Sequence, residues 1–132
     1  MQLSRRLWGV GVRSVLYRPK IPTVILCGSD LIAMGAMNTL EEEGVQVPQD
    51  VSVVGIDDIP FAFLARPPLT TISVPRERLG VIAFEALEKV LKRKRQKGAD
   101  YYLETELVVR RSTALARKQS ARVIARDATQ AG

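Results

Sequence analysis

The sequence predicts an α/β fold built on a largely parallel sheet, and three observations predict it. Short, continuously apolar, β-branched runs at residues 23–27, 51–56 and 69–74 have the composition of strands buried within a sheet. Between and after them, apolar residues recur at helical spacing over 31–43 and 75–95. Each run also ends in a polar or proline-bearing turn before the next helix. Alternating strand and helix favours parallel pairing through crossover helices.

Each element has its own local cause. Residues 1–20 are weakly patterned: Leu7, Val10, Val15 and Leu16 suit a marginal helix that Gly9 and Gly11 weaken. Pro19 and Pro22 bracket a break, and residues 23–27 read as a strand covered on both faces. Gly28-Ser29-Asp30 makes the turn, with Ser29 or Asp30 placed to cap the helix over 31–43. Leu31, Met34, Met37 and Leu40 form its stripe, and Gly44 stands where a left-handed residue ends a helix. Pro48 and Asp50 lead into the strand over 51–56. Asp57 and Asp58 follow, and Pro60 starts a short helix to about Leu64. Pro67-Pro68 breaks that helix before the third strand, 69–74. Pro75 begins the longest helix, apolar at 79, 82, 83, 86, 87, 90 and 91. The cations at 92–97 complement its C-terminal dipole, which favours a solvated helix end over a phosphate site. Residues 101–110 read as a last strand, with Leu103, Thr105, Leu107 and Val109 on one face, and 115–132 as a frayed tail.

Composition removes several functions. At 132 residues, 46% hydrophobic and 26% charged, the chain has the balance of one globular domain or a piece of one. One cysteine and no histidine exclude a disulfide framework, a zinc site and Ser-His or Cys-His dyads. No cofactor and no metal is expected. No apolar run approaches the ~18 residues of a membrane span, and Ser4-Arg5-Arg6-Leu7 lacks the apolar core of an export signal. A reduced, cytoplasmic setting is the expectation. The net charge of +6 is unevenly spread, with +5 in residues 1–20, −7 in 21–65, +6 in 66–98 and +2 in 99–132. The most structured segment is thus acidic, the reverse of a nucleic-acid-binding stripe.

In open parallel sheets, ligands bind beyond the carboxyl ends of the strands. Two such ends stand out: Cys27-Gly28-Ser29-Asp30 and Ile56-Asp57-Asp58. On neighbouring parallel strands they open onto one crevice. With no Lys or Arg between 21 and 65, the rim is acceptor-rich and suits hydroxyl- or amine-bearing ligands better than phosphates. Asp30 and Asp58 have local work as helix caps. Asp57, directly after its strand, has none, which makes it the preferred ligand acceptor.

Five runs then align with one family. Residues 29–36, 47–58 and 67–72, the Leu79-Gly80 to Leu87 pattern, and Glu106-Leu-Val-Val-Arg-Arg-Ser-Thr113 together resemble the C-terminal part of a LacI/GalR-type transcriptional regulator. That resemblance covers 22–114, with 1–21 a poorly matched segment and 115–132 a tail. It implies a two-lobed sensor of the type I periplasmic-binding-protein-like fold, closed on an effector. Residues 22–66 and 103–113 would form the C-terminal lobe, and 69–98 N-terminal-lobe elements. The family's effector aspartate falls on Asp57. Further ligand contacts fall on Ser29, where the family usually has asparagine, and on Ile56, where an aromatic is common. The helix over 31–43 resembles one at the family's dimer interface, which nominates Ala33, Met34, Ala36 and Met37.

The resemblance therefore implies a small-molecule effector, a sugar by preference, and a homodimer. DNA would be read through a helix-turn-helix that these residues do not contain, so a truncated or mis-started regulator is expected. The helix over 75–95 would then keep an uncovered apolar stripe, leaving the chain marginally stable or self-associating. Two alternatives differ in class. One is a solute-binding protein of the same fold, which the missing signal disfavours. The other is a small enzyme using Asp57 and Asp58 as acid and base, which lacks a nucleophile, metal ligands and a phosphate loop.

Overall fold

A computed structural model of the chain describes residues 11–18, 21–92 and 99–116. Its elements run α1 (11–16), β1 (Val24–Leu26), α2 (Asp30–Glu42), β2 (Ser52–Asp57), α3 (Pro60–Leu64), β3 (Thr70–Ser73), α4 (Arg76–Lys92) and β4 (Glu106–Val108). The four strands make one sheet in the order β1-β2-β3-β4. β1, β2 and β3 are parallel, and β4 joins β3 antiparallel. The α/β, mostly parallel architecture is the one the sequence predicts.

α2 packs on one face of the sheet. Its Ala33, Ala36, Met37 and Leu40 are buried against Val51, Val53 and Leu69, with Val12 and Leu16 of α1, Cys27 and Ala62 completing the core. The two ends of α2 are set by single residues. Ser29 is the N-cap, its hydroxyl accepting the Ile32 N–H at 3.3 Å. At the other end Gly44 takes φ 70°, Val45 N–H reaches Leu40 O at 2.8 Å and Gly44 N–H reaches Glu41 O at 3.0 Å. This double closure needs a left-handed residue, which Gly supplies without strain.

Gly55 sets how closely α2 approaches the sheet. A Cβ there would lie 2.2 Å from Asp30 Oδ1 and 3.2 Å from Asp30 Cα. The residues after β4 finish the sheet where β3 has not yet begun. Val53 N–H donates to Ser112 O at 2.9 Å, the buried Ser112 hydroxyl donates to Val53 O at 2.6 Å, and Thr70 N–H donates to that hydroxyl at 2.8 Å. The Arg110-Arg111-Ser112-Thr113 run thus works as a plug between β2 and β3.

Several expectations are corrected. β1 is covered on one face only: Val24 and Leu26 are exposed. The final strand is confined to Glu106–Val108, with Leu107 and Val109 exposed. Thr70–Ser73, expected among the N-terminal-lobe elements, pairs with β2 in the same sheet, and the chain leaves that sheet after Ser73. The stripe of α4, by contrast, is uncovered as expected: no residue of the helix is buried, and Leu79, Leu87, Val90 and Leu91 are exposed. Residues 117–132 of the expected tail, the cations between 93 and 97 and the early positions Leu7, Gly9 and Val10 lie outside the described residues.

Candidate functional site

The carboxyl ends of β1 and β2 lie side by side. Leu26 pairs with Val54, and three residues beyond each stand Ser29 and Asp57. The two turns singled out in the sequence therefore share one rim. Ile56 pairs with Ile72 on the neighbouring strand, and is half-buried.

The β2 turn is unusual in its backbone. Asp57 and Asp58 take φ of 115° and 51°. Non-glycine residues at positive φ cost of order 1–3 kcal/mol each and persist where surrounding structure over-determines them. Here the surroundings do so from several sides. Asp30, fully buried, accepts the Ile59 N–H on Oδ2 at 2.8 Å and the Thr71 hydroxyl on Oδ1 at 2.5 Å. Thr71 Oγ1 in turn accepts the Asp58 N–H at 3.4 Å. Arg76, the first residue of α4, donates to the Asp57 carbonyl. Arg110 pairs with Asp58 at 2.7 Å and donates to Leu69 O at 2.9 Å.

The three acids of the rim therefore have different tasks. Asp30 does not cap α2, since Ser29 does; it is a buried cross-link between α2, β3 and the β2 turn. Asp58 does not cap α3, whose N-cap is Ile59 with no side-chain bond. It is held by Arg110 instead. Asp57 alone keeps its carboxylate without a hydrogen-bond or ion-pair partner among the described residues. It is half-buried at the mouth of the sheet, a position from which a ligand hydroxyl can be accepted with part of the surrounding water excluded.

The rim is not free of cations, as the charge of segment 21–65 suggests. Arg76 and Arg110 arrive from later in the chain, and both are occupied. Thr71, Arg76 and Arg110 were not singled out by sequence reasoning. The signal for Arg110 lay in the 106–113 run, which matched as a motif but carried no assigned contact. Two hollows, of about 530 and 570 Å³, lie elsewhere, one between the end of α2 and Arg66-Pro67 and one at Pro75, Arg78 and Tyr102. Neither is lined by Ser29, Ile56 or Asp57.

The dimer candidates divide. Ala33, Ala36 and Met37 are buried in the chain's own core, so they are not a free face of α2; Met34 is only partly buried. The inward stripe is Ala33, Ala36, Met37 and Leu40, whereas Leu31, placed on the stripe by its spacing, is exposed.

The family model for the periplasmic binding protein-like domain matches residues 3–113. The chain belongs to that family. The match takes in most of the N-terminal segment that its weak patterning had set apart. Among similar proteins, the ribose operon repressor of Haemophilus influenzae is 38% identical over 103 residues, which are 78% of this chain and 31% of that protein. The transcriptional repressor PurR of Photobacterium profundum is 44% identical over 91 residues, covering 69% and 27%. The solved complex of the transcriptional regulator CelR with cellobiose superimposes with TM-score 0.73 at 32% identity, over 82% of this chain and 33% of that one. This periplasmic binding protein-like chain is thus LacI-type in its relatives and spans about a third of their length.

Proposed function

We propose that the chain is the effector-binding portion of a LacI-type transcriptional regulator, with a sugar as effector and Asp57 as its principal acceptor. The unpartnered carboxylate of Asp57, on a turn where Arg110 holds the Asp58 carboxylate and Arg76 the Asp57 carbonyl, carries this reading. Ser29 and Ile56 would add one hydroxyl contact and one apolar wall. Relatives concerned with ribose and cellobiose support a polyhydroxylated ligand. In the whole regulator, binding would shift the lobes between two arrangements of different DNA affinity. Residues 22–73 and 106–113 would then be the C-terminal-lobe portion and α4 an element of the other lobe. A cytoplasmic, non-enzymatic role follows from the same reading. The fixing of Asp58 by Arg110 leaves no free carboxylate pair for acid–base work.

Calorimetric titration of the full chain with ribose and cellobiose tests the proposal. Asp57→Ala should weaken the binding of the preferred sugar by at least ~2 kcal/mol, the loss that follows removal of a charged hydrogen-bond partner. Equal affinity of the variant and the parent would remove Asp57 from the site.

A further inference from the structure

A buried carboxylate lies under the strained turn and touches no solvent. Asp30 is 0% exposed, and its two oxygens meet two different elements: the Ile59 N–H after the turn and the Thr71 hydroxyl on β3. Thr71 relays the hold by accepting the Asp58 N–H. The sheet leaves room for this carboxylate only because residue 55 is glycine. Two consecutive left-handed residues are thereby tied at Asp58 and Ile59, immediately after the acceptor at Asp57.

We infer that Asp30, acting through Thr71, is the positioning residue of the effector site: it sets the direction of the Asp57 acceptor without contacting the ligand. The inference rests on the reading of Asp57 as the effector acid. As a carboxylate, Asp30 accepts from both partners. Asp30→Asn keeps an acceptor for the Ile59 N–H but turns an NH2 toward Thr71, whose hydroxyl must then accept it as well as the Asp58 N–H and point its own proton elsewhere, and the charge that strengthened both bonds is lost. Thr71→Val removes the relay with little change of volume, and Thr71→Ser restores it.

The test uses the full chain, with ribose and cellobiose as probes and amide hydrogen exchange read on the sugar-free protein. Asp30→Asn and Thr71→Val should each speed exchange at Asp58 and Ile59 by at least about tenfold relative to Leu40 and Val53, the equivalent of one lost stabilising contact. Each should weaken sugar binding by at least about tenfold in the parent but add little in an Asp57→Asn background, because the two act through one acceptor. Thr71→Ser should bind like the parent. Equal losses in both backgrounds, or exchange accelerated uniformly along the chain, would show a general structural role and overturn the inference. Should Asp30→Asn not fold, the Thr71 pair reads the same outcomes. If the parent binds neither sugar, the proposed effector class fails, while exchange confined to Asp58 and Ile59 still supports the clamp and its absence still rejects it.

Discussion

α2 and α4 carry comparable apolar stripes and meet opposite fates. α2 lays Ala33, Ala36, Met37 and Leu40 on the sheet, and each is buried. α4 has the longer stripe, yet none of its residues is buried and Leu91 is 73% exposed. The difference lies in what precedes each helix. α2 follows β1 through a three-residue turn and returns at once to β2, so the crossover holds it on the sheet. α4 follows the last parallel strand, and the chain returns through β4, which pairs antiparallel at the edge. A hydrophobic period therefore states that a helix is built to be covered. It does not state that the same stretch of chain supplies the cover.

Truncation of equivalent stripe positions exposes this contrast most sharply. Leu40→Ala, at a site with no solvent exposure, should destabilise the chain by about 2–5 kcal/mol. Leu87→Ala, at a site 56% exposed, should change stability by no more than about 0.5 kcal/mol. Urea unfolding followed by far-ultraviolet circular dichroism measures both. Similar losses would mean that α4 is covered in solution. Next in size comes Gly55→Ala, which forces a methyl against Asp30 and should cost about 1–3 kcal/mol in the same assay.

The bare stripe has a consequence in solution. Burying one such side chain is worth roughly 1.5–3 kcal/mol, against a net stability of only about 5–15 kcal/mol for a whole domain. The chain is thus expected to associate through α4 as its concentration rises. Sedimentation velocity across a roughly 100-fold range of concentration, about 2.7 kcal/mol of association free energy, should show species larger than the monomer. Phe84→Glu with Leu87→Glu should abolish them. A parent that stays monomeric throughout would show that α4 needs no cover.

Much of this was legible in the sequence, for identifiable reasons. Strand runs, helix period, Gly44 and Pro60 are local signals, and each acts within a few residues of itself. Asp57 draws attention in the sequence because it follows a strand and has no local job. Asp30 and Asp58 were misread as caps by the same local logic. Their partners, Thr71 and Arg110, lie 41 and 52 residues away in sequence. A carboxylate beside a helix start looks like a cap until the tertiary structure offers it a stronger donor. The inward turn of Ala33, Ala36 and Met37 was hidden for a related reason: periodicity identifies a stripe without saying which neighbour it meets.

An effect that vanishes at neutral pH concerns Cys27, which ends the run from β1 into the rim. Burial pushes its thiol above the ordinary value of 9.0, because the thiolate would lose its hydration. The unfolded chain, with its thiol in water, gives up the proton first as pH rises. The folded state's advantage is therefore complete below about pH 9 and falls above it, by up to ~1.4 kcal/mol per pH unit until the folded thiol also titrates. Cys27→Ala should shift stability by a constant below pH 9 and flatten the alkaline decline beyond it. Urea midpoints at pH 7, 8, 9 and 10 provide the measurement. Parallel curves for parent and variant would place Cys27 in water. That would detach the end of β1 from the core that holds α2, and remove the support on which the contrast with α4 depends.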